Sequence, residues 1–218
     1  MRLKEIYDRY LVNSKTIQIF GQAGSGKSTL TAALVKSLNS ESNEKTLWID
    51  SEKKFTANRF KHIMPINGHQ NPVTDFVLVS QPKNLFQQQH HIEMMGKNAL
   101  ITSGKLRIKC IVLDTASHYF RVNSANENWV QFSDKYHSFY ENHILPLMML
   151  QKKIGCYLIL VHQITNHPKN GEMPYLFSIY KEIPSIWIKL NCNNGCNEMQ
   201  VKNKTISYQI TGNGIKII

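Results

Sequence analysis

Two periods organise the chain. Short apolar runs rich in β-branched and aromatic residues, at 16–20, 46–50, 75–79, 109–115 and 155–161, predict buried strands. Between them the spacing changes to that of a helix: Leu30, Leu34 and Leu38 share one face after the first run. A short helix with Arg59 and Phe60 follows the second run, ahead of an irregular stretch at 64–72, and a glutamine- and histidine-rich helix opened by Pro82 is expected over 82–100. A long helix is expected over 128–152, interrupted at Pro146. Leu3, Ile6, Tyr7 and Tyr10 recur at helical spacing and predict a short N-terminal helix.

Strand, helix and strand in alternation is the pattern of a parallel sheet covered on both faces. The last part of the chain departs from it. Residues 164–184 read as a loop, with Asn166, His167, Pro168, Lys169, Asn170, Gly171 and Pro174 in quick succession. Runs at 185–190, 198–202 and 205–210 then read as antiparallel strands, separated by Asn193-Asn194-Gly195 and Lys202-Asn203-Lys204. The expected fold is therefore α/β, with a mostly parallel central sheet flanked by helices and antiparallel strands at the C-terminus. No repeat or linker divides the sequence, so one domain is expected over 1–218: a short helix at 1–14, a core at 15–190 and C-terminal β-hairpin strands at 191–218.

Composition adds a partner class. Lysine and arginine number 26 against 15 acidic residues, a formal charge of +11 that favours nucleic acid. Cys110 and Cys156 lie in apolar runs and read as small buried hydrophobes, and the Cys192 to Cys196 segment reads as a hairpin turn rather than half a zinc site. No disulfide framework, secretory segment or membrane span is implied, and a cytoplasmic, nucleoid-associated location is expected.

The chemistry concentrates where strands end. Gly21-Gln22-Ala23-Gly24-Ser25-Gly26-Lys27-Ser28 fits the G-x-x-x-x-G-K-[ST] phosphate-binding loop and lies between a strand and a helix, as that loop requires. Its backbone N–H groups and the positive end of the helix dipole suit phosphate oxygens; Lys27 would reach the β- and γ-phosphates and Ser28 would ligate Mg²⁺, with Thr29 completing the nucleotide contacts. Asp114 ends the clearest buried strand and is placed to hold Mg²⁺ through water. Asp50 and Glu52 lie just beyond the second strand, and His162 and Gln163 end the fifth.

In order and spacing, the loop, Trp48-Ile49-Asp50-Ser51-Glu52-Lys53-Lys54-Phe55 with Arg59-Phe60, the run from Val112 to Arg121, and Leu160-Val161-His162-Gln163-Ile164 together resemble the RecA/RadA recombinase core. The size is similar to that of its short archaeal RadB branch. The resemblance implies a RecA-like ATPase fold with ATP and Mg²⁺ as cofactors. It implies Glu52 as the carboxylate that polarises the attacking water, Gln163 as the γ-phosphate sensor, and Lys27 in catalysis. It also implies DNA, single-stranded or branched, and a recombinase as partners. Departures from the family are Lys53 in place of a usual glycine, His162 in place of a usual asparagine, and no Gly-Gly pair after Pro174. No Phe-x-x-Ala segment precedes the core and no arginine finger is evident, so slow hydrolysis without strand exchange is expected. Lys169 and Lys181, with Tyr175, Phe177 and Tyr180 nearby, are candidates for DNA contact. A small-molecule kinase, or a nucleotide-gated binding module without turnover, is the alternative.

Overall fold

The computed structural model describes residues 14–38, 44–63, 76–101, 107–124, 129–167, 171–193 and 196–218. Six parallel strands form the centre: β1 (Thr16–Gly21), β2 (Glu44–Asp50), β3 (Val77–Ser80), β4 (Arg107–Asp114), β5 (Tyr157–His162) and β8 (Ile186–Asn193). Antiparallel β9 (Cys196–Val201), β10 (Lys204–Thr211) and β11 (Gly214–Ile217) extend one edge. The nine-stranded sheet runs β11-β10-β9-β8-β1-β5-β4-β2-β3. This is the expected α/β architecture with antiparallel C-terminal strands, with one correction: the run at 185–190, expected to be antiparallel, is β8, which joins the central sheet parallel to β1 and is antiparallel only to β9.

Alternation along each central strand sends side chains into two cores. Ile17, Ile19, Trp48, Cys110, Val112, Ile159 and Val161 face one side, where α1 (Lys27–Leu38) and α2 (Ala57–Ile63) pack. Their neighbours Leu47, Ile49, Ile111, Leu113, Leu158 and Leu160 face the other. That side is covered by α3 (Leu85–Ile101), α4 (His118–Asn123), α5 (Trp129–Phe139), α6 (Leu145–Ile154) and the single turn α7 (Phe177–Tyr180).

The long helix expected over 128–152 is interrupted just before Pro146. Pro146 offers no N–H to the preceding turn, and residues Tyr140–Ile144 form a π-helical turn joining α5 to α6. Gly155, in the left-handed conformation at φ 70°, ends α6 by donating its N–H to Gln151 O at 2.8 Å.

The loop expectation for 164–184 is corrected. β6 (Ile164–His167) and β7 (Gly171–Pro174) pair as an antiparallel hairpin in a separate two-stranded sheet, and α7 follows. The turn-forming residues belong to the hairpin tip, and strands of four residues are too short for periodicity to register. The expected helix at 1–14 and the irregular stretch 64–72 lie outside the described residues, apart from Ser14. Among the described residues no helix is long and apolar enough to cross a membrane.

Candidate active site

β1, β2, β4 and β5 are adjacent in the sheet and parallel, so their C-terminal ends open on one side. A crevice at such ends is where open α/β sheets place ligands. Here it has a volume of about 350 Å³ and contains the glycine-rich loop, Asp50, Glu52, Asp114 and Gln163.

Two of the loop's glycines are demanded by the fold, Gly21 by lack of space and Gly26 by its backbone conformation. A Cβ on Gly21 would lie 2.2 Å from the Leu190 carbonyl oxygen of β8. Gly26 has φ +85°, and a Cβ there would lie 2.9 Å from Ile210 Cδ1 of β10. The same strand braces the loop through Tyr208, whose buried hydroxyl donates to Ser25 O at 2.6 Å. Gly21, Ala23, Gly24, Gly26, Lys27 and Ser28 line the crevice; the other predicted loop residues are beside it. Gln22 points away, its Nε2 donating to Glu172 Oε1 at 2.6 Å, which fastens the β6–β7 hairpin to the loop. Ser25 is buried, and Thr29 Oγ1 accepts from the Arg59 guanidinium.

Lys27 folds back over the loop and donates to Gly21 O at 2.8 Å and Gln22 O at 2.7 Å. Burial holds its ammonium below the ordinary lysine range, and Asp114 and Glu52 pull partly in the other direction. An ammonium satisfied only by neutral carbonyls in a half-buried crevice is set up to exchange them for an anion.

Ser28 Oγ donates to Asp114 Oδ2 at 2.7 Å, so a hydroxyl from α1 and a carboxylate from β4 meet across the crevice. Burial raises Asp114 to about 6, against the hydrogen bond from Ser28. Two hard oxygens that need a cation to relieve a buried carboxylate fit Mg²⁺ completed by water and phosphate. Among the described residues there is no cluster of three His, Cys, Asp or Glu side chains able to hold a metal by itself.

Glu52 sits opposite. Its Oε1 accepts from Thr115 Oγ1 at 2.9 Å and from Gln163 Nε2, and its Oε2 is paired with Lys54. Burial pushes this carboxyl up, but the donors Lys54, Thr115 and Gln163 together bring it below the ordinary glutamate range. Glu52 is therefore an ionised acceptor at neutral pH. Gln163 is spent on it through one amide atom only, and its Oε1 is buried without a partner. That orphan oxygen is a ready acceptor for a group arriving in the crevice.

The structure thus brings Lys27, Ser28, Glu52, Asp114 and Gln163 together. It also brings in three cations to which the motifs gave no role, since Lys54, Arg59 and Arg121 line the same crevice. Lys181 is elsewhere, half-exposed and 3.5 Å from Glu182, beside an apolar pocket that includes Tyr136, Tyr175 and Phe177. Tyr180 is fully buried against His162 and belongs to the core. Lys169 lies outside the described residues. Cys192 and Cys196 flank the β8–β9 turn, as expected of a hairpin. No family model matches the chain, and no curated protein matches it.

Proposed function

We propose that this chain is a RecA-like ATPase of the RadB type: an ATP- and DNA-binding accessory protein of homologous recombination and repair with weak hydrolysis. The observation that carries the reading is the convergence of Lys27, Ser28, Asp114, Glu52 and Gln163 on one crevice from four adjacent strand ends. Fold alone would not distinguish this from other nucleotide-binding proteins.

The loop amides and Lys27 bind the triphosphate, and Ser28 and Asp114 are the residues that would hold Mg²⁺, which would neutralise phosphate charge. Glu52 accepts a proton from the attacking water, and Gln163 links that carboxylate to the β6–β7 hairpin that follows it in sequence. The excess of cations supports a DNA partner, and a recombinase is the proposed protein partner.

The test is an ATPase titration of the purified chain with single-stranded, duplex and branched DNA. Stimulation by one of these supports the proposal. Phosphoryl transfer to a small molecule would assign the chain to the kinases, and tight ATP binding without turnover would leave a nucleotide-gated binding module.

A further inference from the structure

The turn between β2 and α2 presents a cation that the proposed reaction does not yet use. Asp50 Oδ1 accepts the Lys54 N–H at 3.1 Å and Oδ2 accepts the Phe55 N–H at 2.8 Å, so a buried carboxylate fixes the backbone at Lys54. Lys53 completes the turn at φ +56°. The Lys54 ammonium rests on Glu52 Oε2, yet the Lys54 side chain is 74% exposed and that of Glu52 only 10%. A cation anchored at its base and solvated along its stem covers the buried carboxylate.

Such a pair is easily exchanged, because half-solvated lysine–carboxylate contacts contribute little. Lys54 also faces the crevice with Lys27, near enough for the two positive charges to repel each other. A γ-phosphate entering between them relieves that repulsion and competes with Glu52 for Lys54. Arg59 is less free to respond, because its guanidinium is engaged by Thr29.

We propose that Lys54 is a catalytic cation supplied in cis, exchanging Glu52 for the γ-phosphoryl oxygens when triphosphate binds. The inference rests on the ATPase reading above. The exchange frees Oε2 of Glu52. A water oxygen then attacks the γ-phosphorus, its proton passes to Glu52, the bond from the γ-phosphorus to the β–γ bridging oxygen breaks, and ADP leaves with the electron pair. Lys54 neutralises charge on the equatorial oxygens throughout, so a subunit carrying its own cation needs none from a neighbour.

The experiment compares Lys54→Ala, Lys54→Arg and the charge-matched Lys53→Ala with the parent chain, by ATP and ADP titration and single-turnover hydrolysis with Mg²⁺. In Lys54→Ala, turnover is expected to fall about 10²-fold, in the range for losing one charge-stabilising donor. Its ATP affinity should fall several-fold while ADP affinity stays within twofold. Lys54→Arg should recover part of the turnover, and Lys53→Ala, outside the crevice, should match the parent chain. Parent-like hydrolysis by Lys54→Ala, or an equal loss in Lys53→Ala, overturns the assignment of Lys54 alone. A parent chain that neither binds nor hydrolyses ATP overturns the ATPase reading together with it.

Discussion

Glu52 and Lys27 occupy opposite walls of one crevice and should separate cleanly under substitution. Lys27→Ala is expected to weaken ATP binding by at least about 100-fold, since a single ammonium serves both terminal phosphates. Glu52→Gln should bind ATP like the parent and lose at least about 10²-fold in turnover, the range for losing a general base. Isothermal titration and single-turnover hydrolysis measure the two. Two buried histidines, His143 and His162, add to the pH dependence of stability. Burial lowers His143 to about 4 and His162 to about 3. His162 donates from Nε2 to Gln18 Oε1 at 2.9 Å while its Nδ1 is buried without a partner, so added charge has nowhere to go. The unfolded chain takes up these protons near pH 6.5 and the folded chain does not. Their contribution is therefore fully present above that pH and is lost as pH falls toward the folded values. Each adds about 1.4 kcal/mol per pH unit to the slope in that window. Urea unfolding at pH 7, 6 and 5 should show His162→Asn losing one such increment of slope.

At the level of elements, β10 is a support for the loop. Tyr208→Phe removes the hydroxyl bonded to Ser25 O and should cost about 1–2 kcal/mol, since a buried carbonyl is left without its donor. A drop in Tm of roughly 2–8 °C is the expected reading for a chain of this size. Loosening the loop should weaken ATP binding as well. A Tyr208→Phe protein with unchanged Tm would mean that water replaces the hydroxyl. Such long-range supports were illegible in the sequence because Ser25 and Tyr208 come from opposite ends of the chain. The central strands were legible because each is a continuous apolar run, and the loop was legible because three glycines and Lys-Ser stand at fixed spacing. The β6–β7 hairpin was hidden by its turn residues, and β11 by its length of four residues. The position of Glu52 could be inferred from its strand end. Of its three donors Lys54 is local, but Thr115 and Gln163 could not be inferred, because they arrive from the ends of β4 and β5 only once the sheet is assembled.

For the whole molecule, the DNA partner proposed above together with a charge of +11 implies binding that should weaken steeply with salt. Reversing Lys169 and Lys181 together should lower affinity for single-stranded DNA and reduce the salt slope by about 0.7 for each phosphate no longer neutralised. Fluorescence anisotropy across a salt series reads both quantities, and an unchanged slope would move the DNA surface elsewhere. The sheet order also has a bearing on how the site is made. β1 is made well before the strands it pairs with, being hydrogen-bonded to β5 and β8, with Thr16 beside Leu158 and Ile17 beside Ile186. The loop at its end then waits for Tyr208 from β10. Pairings of such separation form late in folding, after long stretches of chain have been ordered. If the proposed ATPase reading holds, a nucleotide that needs this loop would not template early folding; it would capture the finished sheet, and its binding should show as slower unfolding rather than faster folding.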